Sequence, residues 1–297
     1  MSTQAETVVL PPRLRWRRLS FRLGDFPLIP TLILVGVAFV AIFANVLAPH
    51  NPEVGSLVAR FKPPFWQTGG STKYLLGTDQ LGRDVLSRLI FGARVSMIVA
   101  FTAVIFAGVV GTGLGIISGY LGGWVDQVIM RLTDTWLALP ALTFAIFLAA
   151  IVGPSMWNIV LILGITYWTR YARVIRGEVL SLKEREFVRL AIVAGCSKWK
   201  IMRRHILPNV INSAVVLGTL MLGVVIITEA TLSFLGVGVP PDIPTWGSMV
   251  AAGQSFTDQA FWMVLFPGLA IVLSALSLQM VGDGLRDMLD PKLRKSM

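Results

Sequence analysis

The sequence predicts an all-α integral membrane protein with six transmembrane helices. Three observations support this class: the composition, the spacing of apolar runs and the placement of basic residues. Of the 297 residues, 55% are hydrophobic and only 14% are charged, and the mean hydropathy is +0.72. Soluble domains carry about 25% charged residues, and disorder needs low hydrophobicity with high charge. The composition therefore excludes both a soluble globular protein and a disordered chain.

Apolar runs of the right length follow one another along the chain. A membrane-spanning helix needs about 20 mostly apolar residues. The charge-free stretch 135–169 is too long for one crossing, and Gly153-Pro154-Ser155 divides it, because Gly and Pro mark turns. The predicted spans are 28–48, 95–120, 135–152, 156–173, 210–235 and 260–281.

The basic residues indicate the orientation of these spans. Twenty of the 26 Lys and Arg residues fall in the two tails and in the second and fourth loops. Basic residues concentrate on the cytoplasmic side, so both termini are predicted to be cytoplasmic. The net charge of +10 then reflects topology, and no nucleic-acid partner is expected. The predicted parts are an N-terminal tail (1–27), a membrane domain (28–281) with an outside loop (49–94) and a cytoplasmic loop (174–209), and a C-terminal tail (282–297).

The outside loop ends in a polar and amphipathic stretch. We expect a short helix there, lying at the membrane surface and capped by Asp79. Direct contact of Asp79, Arg83 or Asp84 with a substrate is the alternative.

Four glycines recur at every fourth position around the second span: Gly111, Gly115, Gly119 and Gly123. Small residues at this spacing let helices approach closely in a bilayer. A dinucleotide-binding interpretation fails, because the G-x-G-x-x-G spacing is absent and no strand is predicted before it. We therefore expect a helix-packing seam, either within this chain or between subunits.

Few charged residues interrupt the spans. Glu229 lies in the fifth apolar run, and an ionisable residue inside a span is a functional candidate. It is predicted either to line a translocation pathway or to cap or pair at the outer interface. Arg131 and Asp134, three residues apart, are expected to pair on one helix face. The single cysteine, Cys196, and two distant histidines predict no metal site.

The fourth loop is strongly basic and contains no proline before Pro208. Gly195 and Ser197 interrupt its helix-forming residues, so we expect helix, turn, helix. Such a segment could lie on anionic lipid or bind a partner. The small residues Ala191 and Gly195 would let a short helix sit deep in a partner's groove. Pro208 is expected to end the segment and to fix how the chain enters the fifth span.

The fourth loop contains Arg189-Leu190-Ala191, then Gly195 after three residues, then His205-Ile206-Leu207-Pro208 after nine more. This order resembles the loop motif of ATP-binding-cassette (ABC) importer permeases. Ala191, Gly195, Leu207 and Pro208 match that motif, whereas Arg189, Leu190 and His205 depart from it. The rest of the chain resembles the dipeptide/oligopeptide/nickel subfamily, specifically its second or "C"-type subunit. Further matching strings are Leu76-Gly77-Thr78-Asp79, Gly82-Arg83-Asp84, Ser87-Arg88, Glu229-Ala230, Leu232-Ser233-Phe234-Leu235-Gly236, Trp246-Gly247 and Gly282-Asp283-Gly284-Leu285-Arg286-Asp287.

The resemblance implies a type I importer in the bacterial inner membrane. Two six-helix permeases would form the pathway, with two ABC ATPases below them and an extracytoplasmic substrate-binding protein outside. This sequence lacks the G-x-x-x-x-G-K-[ST] phosphate loop. The resemblance therefore implies a non-catalytic permease without a cofactor of its own, whose partner ATPases bind ATP and Mg.

The loop residues Ala191, Gly195, Leu207 and Pro208 would couple the spans to the ATPases. The implied substrates are di- and oligopeptides, and nickel chelates, glutathione or oligosaccharides are alternatives. A stand-alone secondary transporter is the alternative from another class. It predicts several buried charges and paired broken helices.

Overall fold

The computed structural model describes residues 27–289, which form α-helices joined by loops. Within this range, β-structure is limited to one bridge between Thr78 and Asp84. The predicted tails lie outside the described residues, except for Pro27 and for 282–289, which continue the last helix. The helices are α1 (Leu28–Ile42), α2 (Ala44–Leu47), α3 (Val85–Leu121), α4 (Gly123–Leu137), α5 (Ala141–Val152), α6 (Met156–Lys183), α7 (Glu186–Val193), α8 (Lys198–Ile201), α9 (Leu207–Phe234), α10 (Trp246–Gly253) and α11 (Trp262–Leu289).

Three helices of the described residues are long and apolar enough to cross a membrane. They are α3, the continuous helix Lys198–Phe234 that joins α8 to α9, and α11. The bent pair α4 and α5 adds a fourth if it is one span, and α1 is a shorter apolar helix. The all-helical class is thus present, whereas the number of six spans stays a prediction.

The helix α1 ends where an arginine of α3 binds its last turn. Arg94 Nε donates to the carbonyl of Ala41 at 2.8 Å, and Arg94 Nη2 donates to the carbonyl of Ile42 at 2.9 Å. Its Nη1 donates to Asn45 Oδ1 at 2.9 Å in the short helix α2. The last carbonyls of a helix lack partners within it, so Arg94 binds them and joins α1 to α3.

The separate surface helix expected before the second span does not exist. The chain is helical without interruption from Val85 to Leu121, so the loop predicted for 49–94 ends at Asp84. The N-cap is Asp84, which accepts a hydrogen bond from the Ser87 N–H at 2.9 Å. The prediction that Asp79 caps this helix is wrong, because Asp79 accepts hydrogen bonds in the preceding turn.

The third predicted span, 135–152, is not one helix. The helices α4 and α5 meet at an angle of 89° across residues 138–140. Pro140 occupies the N-cap position of α5, and proline disfavours helical conformation in the residue before it. The turn predicted at Gly153-Pro154-Ser155 is confirmed, since α5 ends at Val152 and α6 begins at Met156.

The glycine stripe forms a seam between α3 and α6. A Cβ atom on Gly111 would overlap the Trp168 carbonyl oxygen, and one on Gly115 would lie 2.7 Å from the carbonyl oxygen of Ala172. One on Gly119 would lie 2.9 Å from Val179 Cβ. These contacts place the seam within this chain.

The fourth glycine of the stripe does not join the seam. No heavy atom lies within 4 Å of a Cβ built on Gly123, and its φ of +57° places it at the turn with Gly122 where α4 begins. Gly123 therefore makes no close helix contact within this chain, and a contact of Gly123 with another subunit stays a prediction. The four-residue spacing continues past Leu121, where α3 itself ends.

Candidate functional site

The region most suited to binding a partner is residues 184–206, which we call the α7–α8 segment. Its predicted order of helix, turn and helix is confirmed. The N–H groups of Gly195 and Cys196 donate to the carbonyls of Ile192 and Ala191 at 3.0 and 3.1 Å, which is the Schellman pattern of helix ends. Gly195 has a φ of +75°, and a Cβ there would meet no heavy atom within 4 Å. Gly195 is therefore required for backbone conformation and not for close packing within this chain.

One face of the α7–α8 segment packs against the helix bundle. Val188, Ala191 and Ile206 are buried in a cluster with residues of α3 and α6, including Ile116 and Ile175. The expectation that Ala191 fits a partner's groove is contradicted, because its side chain is covered by this chain. The small size of Ala191 serves internal packing.

The opposite face of the same segment is apolar and exposed. Val193 is 85% exposed and Trp199 is 67% exposed, and Leu190 is also open to the surface. Between the two helices, Ser197 caps α8. Large apolar side chains on an ordered surface indicate a binding site for a protein or a membrane.

The chain passes from this segment into α9 without ending the helix. Residues Met202–Ile206 form one turn of π-helix, and Pro208 lies in the first turn of α9. The expectation that Pro208 ends the segment is wrong. Proline removes a donor and clashes with the carbonyl four residues before it, and the wider π turn precedes Pro208 where that clash would fall. The α7–α8 segment is thus continuous with a membrane-crossing helix.

Ion pairs and hydrogen bonds also hold together the ends of α3, α4 and α6 that lie near the α7–α8 segment. Arg176 of α6 donates to both carboxylate oxygens of Asp126 at 2.5 and 2.6 Å, and Arg173 pairs with Asp134. The expected pair of Arg131 with Asp134 does not form, because Asp134 pairs with Arg173 of α6. Lys183 Nζ donates to the Tyr120 carbonyl at 3.0 Å, beside the first residues of the α7–α8 segment.

Glu229 is completely enclosed between α3 and α9. Ser96 Oγ donates to its Oε2 at 3.0 Å, and Ser233 Oγ donates to its Oε1 at 2.8 Å. Ala230 and Gly247, which belong to two of the family strings, pack closely together beside it, since a Cβ on Gly247 would overlap the backbone of Ala230. Glu229 is therefore buried and paired within this chain, it does not line the cavity described below, and its surroundings support a structural role.

The loop before α3, residues 48–84, which is predicted to lie outside and is called the outer loop below, is held by buried polar groups. Asp79 accepts hydrogen bonds from the N–H groups of Leu81 and Arg83 at 2.9 Å and from Arg83 Nε at 2.7 Å. Arg88 donates to the Pro52 carbonyl at 3.0 Å. Asp79 and Arg83 therefore have internal partners, which favours a structural role over substrate contact.

A second carboxylate completes this outer network. Asp84 Oδ2 accepts from Ser87 Oγ at 2.6 Å, and Ser87 Oγ in turn accepts from the backbone N–H of His50 at 3.0 Å. Trp262 Nε1 donates to the carbonyl of Thr78 at 3.1 Å and so joins α11 to the loop. Asp84 is 2% exposed, so a substrate in solution cannot reach its carboxylate in this conformation.

Sequence reasoning missed a cavity of about 730 Å³ between α3, α9 and the α7–α8 segment. Gly108, Thr112, Tyr171 and Gly218 are among its lining residues. Nothing in a single sequence marks a tyrosine between Arg170 and Arg173 as special, and the two glycines are outside the four-residue stripe. Within residues 27–289, no group of three or more His, Cys, Asp and Glu residues could hold a metal ion.

Residues 111–295 match the family described as the binding-protein-dependent transport system inner membrane component. The chain belongs to this family. This permease is therefore an inner membrane component of a transport system and works in a complex with other subunits, and the importer resemblance of its sequence is confirmed.

Several relatives of this permease match it over nearly its whole length. It is 44% identical over 275 residues to the dipeptide transport system permease protein DppC of Escherichia coli (strain K12), covering 93% of this chain and 92% of the relative. It is 39% identical over 265 residues to the di/tripeptide transport system permease protein DppC of Pseudomonas aeruginosa (strain UCBPP-PA14), covering 89% and 88%. For the dipeptide transport system permease protein DppC of Haemophilus influenzae (strain Rd), the identity is 40% over 275 residues, covering 93% of each chain.

Proposed function

We propose that this permease forms half of the translocation pathway of an ATP-driven importer for di- and oligopeptides. Its partners are a second homologous permease, two ABC ATPases and an extracytoplasmic substrate-binding protein. The ATPases bind ATP and Mg and hydrolyse the nucleotide, whereas this chain is non-catalytic and binds no cofactor. The peptide substrate is inferred from relatives named as dipeptide and di/tripeptide permeases.

The observation that carries the proposal is the two-faced α7–α8 segment. One face is fixed to the bundle through Val188 and Ile206, and the other presents Val193 and Trp199. A partner bound to the exposed face can therefore move the attached helices as a rigid body. Such rigid-body motion is one established way to switch a transporter between two access states.

The proposed topology has six spans and cytoplasmic termini. The six helical units would be α1 with α2, α3, α4 with α5, α6, α8 with α9, and α11. On a Cys196→Ser background, we expect membrane-impermeant thiol reagents to label Asp242→Cys from outside intact cells and to spare Ser197→Cys. Labelling of Ser197→Cys from outside would contradict this orientation.

Association with the ATPases tests the coupling role directly. Val193→Asp should reduce co-purification of the ATPases by tenfold or more, because it places a charge in an apolar contact. Val58→Asp is the matched control, since Val58 is also exposed but lies in the outer loop. Equal recovery of the ATPases with both variants would contradict the docking role of the α7–α8 segment.

Transport by the reconstituted complex tests the function as a whole. Proteoliposomes that contain both permeases and both ATPases, supplied with the binding protein, should accumulate a labelled dipeptide only when ATP is present. The same vesicles are then tested with a nickel chelate, glutathione and an oligosaccharide. Uptake of one of these compounds without peptide uptake would support the proposed importer but contradict the proposed peptide substrate.

A further inference from the structure

The chain bends sharply between α4 and α5, and a small cavity lies at the bend. Residues 138–140 join the two helices, which meet at 89°. Trp136, Phe144 and Arg170 are among the residues that line the cavity, whose volume is about 210 Å³. Trp136 Nε1 donates to the carbonyl of Ile165 at 2.9 Å. The bend is therefore held against the middle of α6.

The bend and Arg170 lie at the same depth in the proposed topology. Arg170 is at the middle of the 28-residue helix α6, about 21 Å from Met156 at 1.5 Å per residue. The 12-residue helix α5 spans about 18 Å between the bend and the turn before α6. The hydrocarbon core of a bilayer is about 30 Å thick. With that turn at the outer surface, as the six proposed spans require, both features lie inside the core.

An exposed break between helices at this depth does not suit contact with lipid. Residues 138–140 are exposed on this chain. Irregular backbone in the hydrocarbon region is tolerated only where it is buried in protein or lines a water-filled cavity. Transporters use such discontinuous helices to build substrate sites near the middle of the membrane. This surface therefore suits the translocation pathway, where water reaches it.

Arg170 brings an unpaired positive charge to the cavity. It is exposed, and its guanidinium carbon lies 5.5 Å from the centre of the Tyr167 ring, which helps to hold the side chain in place. The next two arginines of α6 form ion pairs with aspartates of α4, whereas Arg170 has no acidic partner among residues 27–289. An ionisable side chain inside a membrane is costly and marks a functional site.

We propose that Arg170 binds the terminal carboxylate of the transported peptide at the bend between α4 and α5. The inference rests on the proposed peptide import and identifies one contact within it. Every peptide with a free C-terminus carries this carboxylate, whatever its side chains. A guanidinium can donate two parallel hydrogen bonds to a carboxylate, and this pairing is stronger than that of neutral groups.

The size of the cavity suits one end of a peptide. Its volume is below about 300 Å³, the lower limit for typical small-molecule sites. The rest of the peptide would therefore remain in the pathway, where its side chains are not selected. A single charged contact of this kind favours entry and still permits release, as a translocation pathway requires.

The test measures how well a dipeptide protects the cavity from a thiol reagent. Leu139 lines the cavity and is 47% exposed, so Leu139→Cys on a Cys196→Ser background reports its accessibility. The complete complex is purified in detergent without nucleotide or binding protein, so that peptide enters from solution. We expect dialanine to protect Leu139→Cys from a neutral thiol reagent at roughly tenfold lower concentration than its C-terminal amide, because only the acid offers a carboxylate.

Removing the guanidinium should remove the difference between the two peptides. In Arg170→Gln, dialanine and its amide should protect equally and poorly. Arg170→Lys keeps the charge without the planar guanidinium and should keep part of the difference. Arg131→Gln is the matched control, since Arg131 is also exposed and has no acidic partner within residues 27–289 but lies outside the cavity lining. This control should keep the full difference.

Equal protection by dialanine and its amide while Arg170 is present would overturn the inference. This comparison uses two ligands on one protein, so it decides the matter even where Arg170→Gln folds poorly. A difference that persists in Arg170→Gln would also overturn it. So would the loss of the second permease or of bound anionic phospholipid from Arg170→Gln with protection unchanged, because Arg170 would then bind that partner.

Transport separates this inference from the proposed function. In proteoliposomes, Arg170→Gln should reduce dialanine uptake per ATP hydrolysed several-fold, whereas hydrolysis stimulated by the loaded binding protein should persist. A wild-type complex that imports dialanine but is protected equally by the acid and the amide would reject the Arg170 contact alone. A wild-type complex that imports no peptide at all would instead reject the proposed substrate class, and the inference with it.

Discussion

The regions at the two ends of α3 differ in whether their side chains find partners within this chain. At the outer end, Asp79, Asp84 and Arg88 are polar and buried, with partners inside this chain. At the other end, about 55 Å away along a 37-residue helix, the α7–α8 segment leaves Val193 and Trp199 exposed. The polar groups of the loop before α3 are therefore paired within this chain, whereas the α7–α8 segment exposes an apolar face on which we propose that a partner docks. Changes at the outer end should alter stability, and changes at the inner end should alter assembly and transport.

The largest loss of stability is expected from Asp79→Ala. The change leaves Arg83 and the buried Arg88 without their carboxylate, and breaking a buried ion pair in this way costs about 3–5 kcal/mol. Thermal unfolding of the purified permease in detergent should show a much lower midpoint. Asp258→Ala, at an exposed position in a loop, is the control. Similar midpoints for both variants would mean that the outer network does not stabilise the fold.

A smaller loss is expected from Gly111→Ala in the seam between α3 and α6. The added methyl group meets the Trp168 carbonyl, so the helices must separate, and overpacking of this kind costs about 1–3 kcal/mol. Gly36→Ala makes the same change in α1, where a Cβ meets no atom within 4 Å. Folded yield and thermal midpoint should fall only for Gly111→Ala. Unchanged values for this variant would show that the seam does not stabilise the fold.

Gly195→Ala should cost about 1 kcal/mol, because alanine resists the left-handed conformation that ends α7. Gly177→Ala is matched to it, since both positions have open space but Gly177 lies within the helix α6. We expect both variants to insert into the membrane. Only Gly195→Ala should weaken ATPase association, because the altered turn would displace Val193. Co-purification of the ATPases measures this association. Wild-type association for Gly195→Ala would show that the shape of this turn is not needed for docking.

The smallest effect on stability is expected from Val193→Ser, which changes an exposed side chain and should stay within about 0.5 kcal/mol of the wild type. ATP hydrolysis stimulated by the binding protein should nevertheless fall, because the proposed apolar contact with an ATPase would be weakened. A large drop in thermal midpoint without any change in hydrolysis would mean that Val193 stabilises the fold and does not contribute to docking.

The sequence by itself determined the class of the protein and the position of several turns. Composition requires a membrane environment, and local chemistry places turns at Gly153-Pro154 and at Gly195, because these residues adopt backbone angles that others resist. The spacing of Gly111, Gly115 and Gly119 predicted a packing seam, since periodicity along a helix can be read without knowing its partner. Family strings identified the importer class but did not reveal what each residue touches.

Only the tertiary structure decided which groups meet. Asp134 pairs with Arg173 from another helix, Ala191 faces this chain and not a partner, and Glu229 is enclosed by Ser96 and Ser233. The cavity beside Tyr171 depends on two glycines that are 110 positions apart in the sequence. Contacts between distant segments depend on how helices cross and pack, and local periodicity carries no information about that geometry.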